Sequence, residues 1–386
     1  MLKIISLTFV LFVFILSGCN VNTQEANEEP VVDAGEDKYT LLNVEVVFRG
    51  TAIDTDGFVV LYEWDFDGDE EFDVKSKYPD EVSYVYTTAG IYDVTFRVTD
   101  DRGAVVEDHL KVQAGFPEFP EGVLELEEVE IEGSIACAYP ACFTTDGTIR
   151  MIARDSGNNQ VYFFSNDGIY FATTTGFVVP DEAFENNDLE ITMLADGYRG
   201  VYSKSEGPDS KIFMIENDFE TAGDDWDETE LISDGDNSSP SFFSFGDDNY
   251  IYFVKNNKDV HMSRYRKDTT PTGGGIKPVS FSPDDKIKNA LVVSSIKLLF
   301  DGGTYRMWYS ATVNGVTSIY YIASSESENW SNSHSRPVEF DTPLDQGCVP
   351  VLNAVVFDRE EYSYLLYFTC QTNKKLWVAI ADCKGE

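Results

Sequence analysis

Positive charge and histidine are scarce in this chain, and each shortage removes a class of function. Lys and Arg total 28 against 68 Asp and Glu, a formal net charge of −40. A surface of that sign repels phosphate backbones, which argues against nucleic acid as a partner. The three His are His109, His261 and His334, and none stands in a motif that would support a Ser-His-Asp triad. With no Cys-x-x-Cys pair beside so few His, a structural zinc site is not expected either. Gly273-Gly274-Gly275 follows Pro271 and precedes no helix, so it is no phosphate loop. From about residue 116 onward no long segment has helical period.

What the chain has in quantity is apolar and aromatic side chains, 42% and 14% of its 386 residues. That is enough for two or three domains with cores of their own. The excess carboxylates suit a solvated extracellular surface or bound calcium.

The N-terminus reads as an export signal. Met1-Leu2-Lys3 precedes an apolar run from Ile4 to Leu16, which is short for a membrane span. Leu16-Ser17-Gly18-Cys19 closes it and resembles a bacterial lipobox. The resemblance implies a signal peptide over 1–18, lipidation of Cys19 and a stable membrane anchor. Residues 19–30 are polar and read as a flexible tether. Asn20 stands where an inner-membrane retention Asp would be, so the outer membrane or cell surface is the expected location.

Five more cysteines follow, Cys137, Cys142, Cys348, Cys370 and Cys383, and an odd number leaves at least one without an intramolecular partner. If Val349–Phe357 and Tyr362–Cys370 form a hairpin turning at Asp358–Glu361, Cys348 falls beside Cys370, which predicts that disulfide.

Between residues 31 and 114 short runs alternate with period two. Tyr92, Val94, Phe96 and Val98 share one face, and turns fall at Asp56-Gly57, Ala89-Gly90 and Arg102-Gly103. This spacing predicts a small antiparallel sandwich. Asp33-Ala34-Gly35, Asp54-Thr55-Asp56-Gly57, Tyr62-Glu63-Trp64-Asp65-Phe66-Asp67-Gly68-Asp69 and Ala89-Gly90-Ile91-Tyr92-Asp93-Val94 occur in that order, and the segment resembles a PKD domain. The resemblance implies an immunoglobulin-like module that serves as a spacer, and in some proteins as a protein or glycan contact. Asp65, Asp67, Asp69 and Asp73 put acidic oxygens at spaced positions of one loop, as calcium requires. It is no EF-hand, because Glu70 holds the sixth position and Ser76 the twelfth. A calcium site and a solvated acidic turn are both open.

From residue 120 to 386 the chain reads as β throughout, after a linker marked by Pro117 and Pro120. A hairpin recurs about every fifty residues, most clearly as Tyr305-Arg306-Met307-Trp308-Tyr309-Ser310 followed by Ser318-Ile319-Tyr320-Tyr321-Ile322-Ala323-Ser324 and Trp330. Five such units predict a five-bladed β-propeller, each hairpin being a blade's inner pair of strands, with Val123 to Ile131 closing the ring. The fold class is therefore all-β, a sandwich followed by a propeller. The Tyr-Arg-Met-Trp-Tyr-Ser strand, the Ile-Tyr-Tyr-Ile-Ala-Ser strand and the Trp resemble the propellers of glycoside hydrolase family 43 and its relatives, families 32, 62, 68 and 130. Six-bladed sialidases are the alternative, on the strength of Ser165-Asn166-Asp167-Gly168.

Family 43 resemblance implies two catalytic carboxylates and a third that tunes them, supplied by the first three blades. The base often precedes a Pro, yet Ala138-Tyr139 precede Pro140 and Ser238-Ser239 precede Pro240. Asp188 matches the second-blade position, and Glu190 and Asp236 are nearby candidates without a motif. Arg150, Arg199 and Arg306 recur at one blade position. Three such residues could clamp a carboxylated sugar, or identical register could mean a repeated structural role such as pairing with a neighbouring blade. The expected function is carbohydrate binding on a surface-anchored lipoprotein, with hydrolysis in doubt. The alternatives are an active glycosidase and a protein-binding scaffold or adhesin.

Overall fold

A computed structural model describes residues 26–383 except 146, 176, 185, 187, 195–196, 207–208, 219–225, 234, 257, 267–276, 282–291 and 331–332. The signal peptide, Cys19, the tether up to residue 25 and Gly273-Gly274-Gly275 lie outside the described residues. The described chain is all-β, with two short 3₁₀ turns and no α-helix. It divides into two compact units, one carrying most of the N-terminal β-domain and the other carrying the propeller.

The N-terminal domain is a sandwich. Its larger sheet has five strands in the order Lys38–Thr40, Val105–Ala114, Gly90–Asp100, Val59–Asp65 and Val74–Ser76. Val31–Asp33 pairs with Thr51–Ile53, and Glu45–Phe48 with Val82–Val85. Alternation places Val94, Phe96 and Val98 inside, where they meet Phe48, Trp64 and Phe66. The Trp64 and Phe96 rings stack 4.5 Å apart. Burying side chains of this size contributes about 1.5–3 kcal/mol each, which lets a small domain hold together.

Five sheets of four or five strands form the propeller, antiparallel except for the parallel edge pairs of Glu130–Ile131 with Tyr170–Thr174 and of Val123–Glu128 with Glu339–Phe340. Each begins with an inner strand, namely Cys137–Thr145, Glu190–Leu194, Asn237–Phe245, Val292–Phe300 and Pro350–Asp358 in blades one to five. Every inner strand packs against the inner strands of both neighbouring blades, so the five close a ring around a central channel. The recurring hairpin is thus not the inner pair. Tyr305–Val313 and Val316–Ser324 are the second and third strands of blade four. Their Met307 and Tyr309 enter an aromatic core shared with Tyr252 and Val254 of blade three. The hairpin is the more legible element because it alternates between two apolar cores, whereas the inner strand carries the polar channel.

The ring closes through Val123–Glu128, which joins blade five by antiparallel pairing with Leu376–Asp382, so the last blade holds strands from both ends of the domain. Such closure pairs the seam strand on both sides, with Leu376–Asp382 and with Glu339–Phe340. Cys348 and Cys370 form a disulfide in the same blade. Hydroxyls tie inner strands together. Ser241 Oγ of blade three accepts from Leu298 N of blade four at 2.9 Å, and Ser295 Oγ of blade four accepts from Leu352 N of blade five at 3.1 Å.

Candidate functional site

Near their N-terminal ends the inner strands interrupt their ladders. Register shifts fall between Ala138 and Ala141, Ser238 and Ser241, Val293 and Ser295, and Leu352 and Ala354. A bulge inserts an unpaired residue and re-aims its side chain. The residues so released are Tyr139, Ser239, Ser294 and Asn353, and all four line one cavity of about 230 Å³. Tyr139 and Ser239 take positive φ values of 53° and 49°, each just before its Pro. Backbone in this region is costly for a residue with a side chain and marks functional geometry in many sites. In blade two the segment before the inner strand supplies Asn186 and Asp188 to the same cavity.

Asp188 is held from three sides. Its Oδ1 accepts from Ser203 N at 2.9 Å, and its Oδ2 accepts from Ser203 Oγ at 2.5 Å and from Ser239 N at 2.7 Å. Burial pushes its carboxyl above the usual range, although those hydrogen bonds and the Lys297 charge pull the other way. Among the described residues lining this cavity, Asp188 is the single carboxylate.

Glu190 faces elsewhere. It lines a second channel cavity of about 200 Å³, with Phe143, Phe243 and Phe300 among its neighbours. Its Oε1 accepts from Ser241 Oγ at 3.0 Å and Phe242 N at 2.9 Å, and its Oε2 pairs with Lys297 Nζ at 3.0 Å. Glu190 therefore ties blade two to blades three and four. Lys297 lines both cavities and stands between them. Asp236 lines neither, and its backbone carbonyl accepts from Asn256 N. The three candidate acids do not meet in one site.

Nor do the three arginines. Arg150, Arg199 and Arg306 pair in register with Phe143, Thr192 and Leu299, toward the Glu190 end of the channel, and none lines either cavity. Arg150 donates to Thr145 Oγ1 at 3.0 Å. Arg199 pairs with Glu216 of the adjacent strand. Arg306 is buried against Asp301 Oδ2 at 2.7 Å. Of the two open readings, the geometry supports a structural role, with the partners found in the same blade and, for Arg306, also at Phe116 O of the linker instead of in a neighbouring blade.

In the N-terminal loop, Asp65, Asp67 and Asp73 bring carboxylate oxygens within 4.8 Å of one another, and Asp69 is not of that group. Asp65 accepts from Gly68 N at 2.8 Å and Glu70 N at 2.9 Å, while Asp73 accepts from Phe66 N at 2.8 Å. Burial first, and then the charges of Asp69, Asp73 and Asp65, raise the Asp67 carboxyl above its usual range. Hard oxygens crowded in this way fit calcium as a donor set.

Sequence reasoning missed Lys297, Ser294 and Asn353. The signal that could have found their neighbours was the pair of prolines, Pro140 and Pro240, each following a bulge residue.

Residues 27–114 match the family model described as a PKD domain. The N-terminal sandwich is the part of the chain that this model matches. Among curated proteins, collagenase ColA of Clostridium perfringens (strain 13 / Type A) is 30% identical over 104 residues, which is 26% of this chain and 9% of the collagenase. The chain thus spans less than a tenth of that relative's length. The solved PKD1 domain of Vibrio anguillarum Epp is 31% identical, covering 23% of this chain and 96% of its own, at a TM-score of 0.19. The family 43 endo-arabinanase from Bacillus licheniformis is 14% identical, covering 65% of this chain and 96% of its own, at a TM-score of 0.45. A family 43 β-1,3-galactosidase with galactodeoxynojirimycin is 8% identical, covering 66% and 93%, at 0.47. None of these likenesses bears on the chemistry of the cavity.

Proposed function

We propose that the propeller binds carbohydrate in the Asp188 cavity without hydrolysing it, on a chain that Cys19 anchors at a membrane surface. The observation that carries this reading is the make-up of the cavity. Hydroxyl, amide and phenol groups from all five blades, including Tyr139, Asn186, Ser239, Ser294 and Asn353, converge on one space with a single carboxylate among the described residues. Convergent donors and acceptors suit a polyol. Glycoside hydrolysis by the two-carboxylate route needs a second acid about 5–9.5 Å from the first, and Glu190 is engaged with Lys297 and the blade-three strand instead. The strand motif shared with family 43 propellers agrees with a sugar ligand.

Calorimetry of the full chain with arabino- and galacto-oligosaccharides, with a parallel assay for new reducing ends, tests the reading. Binding without release is expected. Release that disappears in Asp188→Asn would make the protein a hydrolase, and absence of any binding would remove the carbohydrate reading. The anchor is tested by mass spectrometry of the membrane-extracted protein, which should carry acyl chains that Cys19→Ala lacks; an unmodified wild-type Cys19 would end that part of the proposal.

A further inference from the structure

Lys297 is the most unusual side chain of the channel. It is 3% exposed, lines the Asp188 cavity, and sits mid-strand in a segment otherwise apolar or hydroxyl-bearing. A buried ammonium needs partners for its three donors. Lys297 Nζ has the Glu190 carboxylate at 3.0 Å as an ion pair, but among the described residues no acceptor meets it in hydrogen-bonding geometry. Glu190 therefore neutralises the charge while leaving donors to spare. Asp188 lines the same cavity and, among the described residues, has two bonds at Oδ2 and one, from Ser203 N, at Oδ1. Lys297 Nζ, closed off from solvent beside the cavity, thus keeps unused protons, and Asp188 Oδ1 keeps an unused lone pair.

We propose, resting on the carbohydrate reading above, that Lys297 and Asp188 together recognise a pair of adjacent hydroxyls. Lys297 donates to one hydroxyl oxygen, Asp188 accepts the proton of the other, and Glu190 holds the ammonium in place. Because Glu190 already balances Lys297, the pair offers hydrogen bonds and no net positive charge. The exposed Lys374 at the rim, whose Nζ donates to Tyr139 Oη at 2.5 Å, is screened by solvent. The device therefore reads an uncharged diol and gives a sugar carboxylate no advantage.

The test compares the wild-type chain with Lys297→Met/Glu190→Gln, which removes both charges at similar volume and leaves no buried ion unpaired. Circular dichroism and thermal melting establish that the variant folds, and Lys297→Leu/Glu190→Gln, which also lacks the ammonium donors, serves if it does not. The probes are immobilised arabino- and galacto-oligosaccharides, the same sugars after mild periodate cleavage of their diols, and galacturonate oligomers. Loss of a charge-assisted hydrogen bond should weaken binding about tenfold or more. The expected result is that folded variants lose binding to that extent, that periodate abolishes it for wild type, and that galacturonate oligomers bind no better than neutral ones. Full binding by a folded variant, survival of binding after periodate, or a preference for galacturonate would overturn the inference while leaving a carbohydrate-binding propeller intact. If no probe binds wild type, the underlying reading and this one fail together.

Discussion

Asp188 is the residue at which fold and chemistry compete most directly. Its carboxyl is raised chiefly by burial, so in the folded chain it keeps its proton to a higher pH than in the unfolded one. Between the ordinary aspartate value of about 3.9 and the raised value, the native state binds more protons than the unfolded state. Stability contributed by this group therefore falls as pH rises through that window and stays low above it. Asp188→Asn removes the titration. We expect the stability of wild type minus that of Asp188→Asn, measured by urea unfolding at a series of pH values, to decline from about pH 4 upward and then level off. A difference that rises over the same range would show that the hydrogen bonds from Ser203 and Ser239 outweigh burial.

At the scale of elements, the strands were legible and the bulges were not. Period-two alternation marks Gly90–Asp100 and the blade hairpins because each has one face in a core. The turn at Asp358–Glu361 placed Cys348 beside Cys370, and that disulfide forms. The inner strands are covered on both faces, so alternation fades, and a bulge shifts register without changing composition. Ser294 and Asn353 look like ordinary strand residues, and Lys297 looks like a solvated lysine until its burial is known. The absence of acids before Pro140 and Pro240 was legible, and it is these positions that the bulges turn into the cavity. The disulfide has an energetic consequence of its own, because it spans 22 residues of the blade that closes the ring. Cross-linking a loop of that length should stabilise the fold by about 3 kcal/mol. Cys348→Ala/Cys370→Ala should lower the urea midpoint accordingly, and reductant should destabilise wild type but not the variant. Equal midpoints for the two proteins would mean that strand pairing alone holds the blade.

At the scale of the whole molecule, a net charge of −40 is a standing repulsion that folding must overcome. Salt screens it, with a Debye length of about 10 Å at 0.1 M, so the melting temperature should rise as sodium chloride is added. Calcium adds a separable effect if the Asp65, Asp67 and Asp73 loop takes the ion. At equal ionic strength, screening by calcium chloride and sodium chloride differs little in kind, but a bound ion stabilises only the state that binds it. Sites of extracellular modules fill at about 0.1–1 mM calcium. We expect millimolar calcium to raise the melting temperature beyond matched sodium chloride, and Asp67→Asn to lose that increment while keeping the general salt response. Asp67 is the residue to change because its Oδ1 accepts only a long bond from Asp69 N, at 3.4 Å, whereas Asp65 and Asp73 also hold the loop backbone. If calcium and sodium at matched ionic strength act alike on wild type, the loop is a solvated acidic turn, and the acidity of this chain acts only through its summed field.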